Sequence, residues 1–354
     1  MRRASAICLS AALLGGPLLG VLAAPRAEAA DPARLLAYAG IFQDNYTDTV
    51  VKPFNAKSDA KVDFVSGDTS AAMLGMLRTQ KNDPQLDLVI MDVTTAALAC
   101  AEGLVEKITP QDLPVLNELD PQARSAGGEC GPAVTFDHLV VEYDAKGVTP
   151  APTSLKAMWD PRWKGRIALS APPNIQGLAL TAILAHSETG DWKKADGAFK
   201  TLRDLAPSVQ TFDPQPDGYS LILNGTASFA TGWNARAQLY HDQSKGRIGV
   251  LLPSEGTVFQ INTINVVKNG HSHKAAMDFM AYALGTEAQK AFTERMFYGP
   301  TNTHAQIAPD AAARTAAAPE NKARVIPLDW NEMLKLRDSW NQRWRREVIA
   351  AGSR

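Results

Sequence analysis

The stretch KVDFVSGDTSAAMLGMLRTQKNDPQLDLVIMD, residues 61–92, sets two strand-length runs around one helix. KVDFVSG reads as a strand. DTSAAMLGMLRTQK places Met73, Leu74 and Leu77 on one helical face, and LDLVIMD is an apolar run of strand length. Two strands joined through a helix lie parallel in one sheet. The same alternation continues outward. Upstream, RLLAYAG is a strand ending at Gly40, and QDNYTDTVVKPFNAK carries Tyr46, Val50 and Phe54 at helical spacing. Downstream, VTTAALACAEGL is a helix stopped by Gly103.

A second alternating region follows the Pro-rich link GVTPAPTSLKAMWDPRWKGRIAL. RIALSAP, SVQTF, TASFATG, RIGVLLPSEG and VFQINTINVV read as strands. NIQGLALTAILAH, residues 191–205, DGYSLILNG and the segment from Trp233 read as helices between them. HKAAMDFMAYALG, TEAQKAFTERM and a terminal helix, WNEMLKLRDSWNQRWRREVIAAG, complete the chain; the last has a basic, tryptophan-bearing face. The fold class is therefore α/β, in two lobes. Strands crossing near Pro132–Asp137 and Phe259–Val267 would act as the hinge. The expected boundaries are 30–134 plus about 264–302 for one lobe, and 135–263 plus about 303–354 for the other.

Residues 1–29 read as a cleaved secretory signal. Arg2 and Arg3 precede an apolar run, Ala6 to Ala24, and Ala27-Glu28-Ala29 supplies a small-residue cleavage site. Cys8 lies within the apolar run rather than at the cleavage point, which argues against a lipid anchor. The arginine pair matches a twin-arginine signal poorly, so the general secretory route is expected. The expected compartment is the periplasm. The whole chain has 36 basic and 37 acidic residues, a net charge of −1; losing Arg2, Arg3, Arg26 and Glu28 with the leader makes it −3. No basic patch stands out, so nucleic acid is not an expected partner. Cys100 and Cys130 remain, and in an oxidising compartment an even pair forms a disulfide.

Chemistry typical of an enzyme does not assemble in the sequence. There is no G-x-S-x-G elbow and no P-loop. His271-Ser272-His273 sits in a polar turn before a helix, and His138, His186, His241 and His304 are scattered. Asp68, Asp92 and Asp137 have no evident nucleophile beside them. No cofactor and no metal are expected.

In open parallel sheets, ligands bind beyond the carboxyl ends of the strands. Phe42, then Ser66, Gly67, Asp68 and Thr69, then Asp92, fall there. The turn at 66–69 leads into a helix N-terminus that suits an anionic group. Asp68, Asp92 or Asp137 would face an ammonium. Trp233 stands at a strand-to-helix corner in SFATGWNARAQLY, where a flat ring forms a wall rather than filling a core.

The run GTASFATGWNARAQLY…IGVLLPSEGTVFQINTINVVKNG resembles the second-lobe signature of periplasmic solute-binding proteins of ABC importers, most closely the spermidine/putrescine-binding type. FYGPTNTHA, Phe297 to Ala305, is similar to another segment of that family. SGDTSAAMLGMLRTQKNDPQLDLVIMD resembles the first-lobe pattern shared with ferric-iron-binding relatives. The resemblance implies a type II-like, two-lobed periplasmic-binding-protein fold, a monomer, a small-molecule ligand and a membrane permease as partner. An exported enzyme or a chemoreceptor-linked binder on the same fold is the alternative. Polyamine binders of the family carry Trp and Asp two apart after Pro-x-Glu-Gly, where this chain has Gln260 and Asn262. The ferric relatives carry adjacent tyrosines, and this chain has none. A buried diammonium needs carboxylates, so the amides point instead to a zwitterion, carboxylate or uncharged polar solute. Phe42, Phe136 and Trp233 are the aromatic candidates. Asn174, Asn234, Gln260 and Asn262 are the neutral donors and acceptors, and Tyr298 of the FYGPTNTHA segment completes the ligand-binding set.

Overall fold

The computed structural model describes residues 31–316 and 318–352. The expected leader, 1–29, lies outside the described residues. Nine strands form one mixed sheet: β1 (Ala33–Tyr38), β2 (Val62–Gly67), β3 (Leu88–Asp92), β4 (Ala133–Asp144), β5 (Ile167–Ala168), β6 (Val209–Thr211), β7 (Phe229–Trp233), β8 (Ile248–Leu251) and β9 (Phe259–Val266). Their order is β2-β1-β3-β9-β4-β7-β5-β6, with β8 also paired to β4. β1 runs parallel to β2 and β3, and β5 runs parallel to β6 and β7. These are the crossover connections that the strand–helix–strand pattern demands.

Two antiparallel strands join the halves. β9 pairs the whole of β3 through Asn262–Val266. β4 pairs β9 through Ala133–His138, then continues beside β7 and β8 through Leu139–Asp144. The crossing strand expected near Pro132–Asp137 thus runs on to Asp144. After His138 its residues show no period-two alternation in burial, Glu142 included, because both of its faces are covered. The result is a two-lobed α/β architecture with β4 common to both halves.

The main apolar core runs through both halves, and each half adds a smaller cluster of its own. The helix Ser70–Thr79 lays Met73, Leu74 and Leu77 on Leu36, Val89 and Met91. Fully burying each such side chain contributes about 1.5–3 kcal/mol. Gly67 permits that approach, since a Cβ there would lie 2.8 Å from Met73 Cε. In the other half, Tyr219 and Ile222 of the helix Gly218–Leu223 cover Val140 of β4 and Ala230 of β7. Cys100 and Cys130 form the expected disulfide, with Cα atoms 6.0 Å apart. It ties the end of the helix Val93–Ala101 to the segment entering β4.

Candidate functional site

Strand register brings the polar candidates to one place. Asp92 pairs with Asn262, Thr135 with Asn262, Asp137 with Gln260, and Leu139 with Trp233. The carboxyl ends of β1, β3 and β7 meet there, beside β9. They open on a cavity of about 480 Å³.

At least four helices begin at this cavity. Thr69 Oγ1 accepts from Ala72 N at 3.2 Å at the start of Ser70–Thr79. Asp92 Oδ1 accepts from Thr94 N and Thr95 N, both at 3.0 Å, at the start of Val93–Ala101. Asn174 Oδ1 accepts from Gln176 N at 3.0 Å at the start of Ile175–Thr189. The fourth helix, Asn234–Gln243, has Trp233 at its cap position, which cannot accept. Asp137 replaces it from β4: its Oδ1 accepts from Ala235 N at 3.1 Å and from His138 N at 2.8 Å. Each helix start contributes a partial positive charge to the cleft.

The acids are largely engaged by these duties. Asp92 also accepts both Thr94 Oγ1, at 2.5 Å, and Thr95 Oγ1, at 2.7 Å. Asp137 is buried, and burial pushes its pKa up to about 7 against the pull of its N–H donors and of Arg236. Asp68 is exposed at the cavity and makes no hydrogen bond among the described residues. The amides form a chain. Gln260 Nε2 donates to Asn262 Oδ1 at 2.7 Å, Tyr38 Oη donates to the same oxygen at 3.1 Å, and Asn262 Nδ2 donates to Thr135 Oγ1 at 3.0 Å. That chain leaves Gln260 Oε1 as a free acceptor.

The cavity brings together Phe42, Asp68, Thr69, Asp92, Asp137, Asn174, Trp233, Gln260, Asn262 and Tyr298. Four further candidates lie outside its lining. Phe136 stacks on Phe259 with ring centroids 4.7 Å apart in the core. Asn234 is buried behind the corner, where its Nδ2 donates to Phe297 O at 3.1 Å and Arg314 O at 2.8 Å. Ser66 Oγ turns to Gln43 Oε1 at 2.7 Å, and Gly67 packs on Met73. Phe42, though it borders the cavity, is only 3% exposed and sits within a cluster of Tyr46, Phe292 and Tyr298.

Sequence reasoning missed Tyr38, Ser70, Arg236 and a whole wall from the terminal helix, Trp330–Arg343. Trp330, Met333, Leu334 and Arg337 all line the cavity. Their spacing of three, one and three is one helical face, and that was the available signal. Trp330 is held by its Nε1 donating to Phe259 O at 2.7 Å. Arg236 and Arg337 have no hydrogen bond and no ion pair within 4.0 Å among the described residues. Arg247 and Arg343, by contrast, pair with Asp144 and Glu347, each at 2.7 Å.

A family model described as bacterial extracellular solute-binding protein matches residues 49–323. The spermidine/putrescine-binding periplasmic protein of Escherichia coli (strain K12) is 24% identical over 321 residues, 87% of each chain. The gamma-aminobutyric acid-binding protein of Pseudomonas aeruginosa is 23% identical over 302 residues, 80% of this chain and 81% of that one. Among solved structures, the periplasmic binding protein AfuA from Actinobacillus pleuropneumoniae, with fructose-6-phosphate bound, superposes with a TM-score of 0.71 at 20% identity. It covers 90% of this chain and 98% of AfuA.

Proposed function

The chain belongs to the bacterial extracellular solute-binding protein family, and we propose that this member captures a small organic acid or zwitterion in its cleft for delivery to an ABC transporter permease. One observation carries the choice of ligand: Arg236 and Arg337 line the cavity with no ion pair within 4.0 Å among the described residues, and Asp137, an acid whose charge Arg236 feels, is turned to the start of the helix Asn234–Gln243. A guanidinium bound to a carboxylate or phosphate makes short, charge-assisted bonds. The helix starts add to the same positive field. Trp233 serves as the flat wall, Gln260 Oε1 accepts from a hydroxyl or amine of the ligand, and exposed Asp68 faces any ammonium group. Asp92 and Asp137 are occupied as helix caps, which argues against a diammonium ligand such as a polyamine.

The named relatives span a polyamine, an amino acid and a sugar phosphate, so ancestry does not choose among them. The arginines of the cleft support an acidic ligand. Residues 31–134 with about 264–302 form one lobe of the proposed closing motion, and 135–263 with about 303–352 form the other. A ligand touching both lobes shifts the population toward the closed form. Residues 1–29 serve as the export leader, and the protein acts in the periplasm, returning its ligand unchanged.

A thermal-shift panel tests the reading, with fructose-6-phosphate, succinate, γ-aminobutyrate, putrescine, spermidine and thiamine each added to the mature protein. A ligand at 100 times its Kd adds about 2.7 kcal/mol. An organic acid or zwitterion should raise Tm while the polyamines leave it unchanged. A polyamine that shifts Tm, with the acids silent, would overturn the proposal.

A further inference from the structure

Glu142 stands mid-way along β4 with none of its surface exposed. On that stretch of β4, Val140 belongs to an apolar cluster with Tyr219, Ile222, Ala230 and Ala237. Neither carboxyl oxygen of Glu142 has a hydrogen-bond partner. Two glycines make room for the group: a Cβ on Gly232 would fall 1.4 Å from Glu142 Oε1, and one on Gly218 would fall 3.6 Å from Oε2. That same point on Gly232 is 2.9 Å from Tyr219 Oη, so the carboxyl and the phenol are neighbours.

No cation is at hand to hold an ionised carboxylate. The facing strand positions are Ala230 on β7 and Val250 on β8. The ionisable groups around it are Asp217, Tyr219 and Tyr240. A buried, uncompensated charge is very costly, and burial together with Asp217 pushes the Glu142 pKa well above the usual carboxylate range, against the opposing pull of the Tyr219 hydroxyl beside it. Glu142 is therefore the neutral acid, which has a proton to donate. Tyr219 Oη accepts from Trp233 N and donates to Trp233 O, both at 3.2 Å. Its single hydrogen is engaged, and one lone pair is left.

We infer that Glu142 is a positioning residue: it donates its proton to Tyr219 Oη, and Tyr219 clamps the backbone of Trp233 so that Trp233 and Arg236 face the cleft. The functional meaning of that clamp rests on the cleft being the ligand site, as proposed above. The clamp itself does not. The ring of Tyr219 is stacked on Tyr240, with centroids 4.8 Å apart.

The test needs no ligand. Protein labelled with 5-fluorotryptophan gives fluorine resonances for its seven tryptophans, and Trp233→Phe assigns the relevant one. Glu142→Leu and Tyr219→Phe should move the Trp233 resonance while the other six hold. Glu142→Gln, which keeps a donor, should leave it in place. If Glu142→Leu and Tyr219→Phe both leave Trp233 unmoved, the clamp is refuted. Should Glu142→Leu fail to fold, infrared difference spectra of wild type against Glu142→Gln at neutral pH decide the matter. The carbonyl stretch of a protonated acid should be present in wild type and lost in the variant, and its absence from wild type overturns the proposal. A silent ligand panel would overturn the choice of organic acids without touching these spectra.

Discussion

Asp137 caps a helix to which it does not belong. The corner at Trp233 leaves Asn234–Gln243 without a side-chain cap, and β4 supplies one from across the sheet. The sequence marks Asp137 as a charged residue near the hinge, but its duty depends on the β4–β7 register, which no local pattern carries. Its pKa is raised to about 7, so the folded state holds a proton that the unfolded chain has released. Stability is then full below the unfolded value and declines as pH rises from about 4 to about 7. The slope approaches about 1.4 kcal/mol per pH unit where the group titrates fully. Asp137→Asn should flatten that slope, as urea midpoints across the range would reveal. Arg236→Ala and Arg337→Ala should each weaken binding of the stabilising organic acid by roughly ten- to a hundred-fold, the loss of a charge-assisted bond of about 1.5–3 kcal/mol. Calorimetric titration reads this directly, and unaltered affinity in both variants would remove the arginines from the site. Trp233→Ala should lose affinity with little change in Tm, because the ring is only half-buried at the cleft wall.

At the scale of elements, the alternation from residue 33 to residue 101 was legible because short apolar-rich strands alternate with segments whose apolar residues recur at helical spacing. The length of β4 was not. A strand buried on both sides lacks the alternation that marks an end, and only its partners reveal that it changes neighbours after His138. The terminal helix was legible as a helix with a tryptophan-bearing face. Its place over the cleft depends on Trp330 reaching Phe259 O, a contact between residues 71 apart in sequence. The disulfide needed only cysteine parity. It closes a loop with a sequence separation of 30, for which chain entropy gives about 3–4 kcal/mol. Cys100→Ser with Cys130→Ser should therefore lower Tm by several degrees, and a reducing agent should do the same to wild type. A Tm unaffected by either treatment would mean that the helix end and the β4 entry are held by packing alone.

For the whole molecule, the two-lobed architecture follows from the sequence because crossover helices and two late antiparallel strands admit few other topologies. The ligand class does not follow so readily. It depends on which charges meet at the cavity and which of them the protein itself already answers. If closure accompanies capture, the radius of gyration from solution scattering should fall when the stabilising ligand is added, and an unchanged radius would separate binding from closure.

The late strand β9 also orders events during synthesis. β3 can pair with β1 as soon as both have been made, yet its other edge waits for β9, whose Val266 lies opposite Leu88. Until some 170 further residues are made, about 10–35 s at ordinary ribosomal speeds, the nascent amino-terminal half presents an open apolar edge of the kind that invites mispairing. A holding chaperone has its window here: it is needed from the completion of β3 until residues 259–266 emerge, and has nothing left to grip at that edge once they have docked.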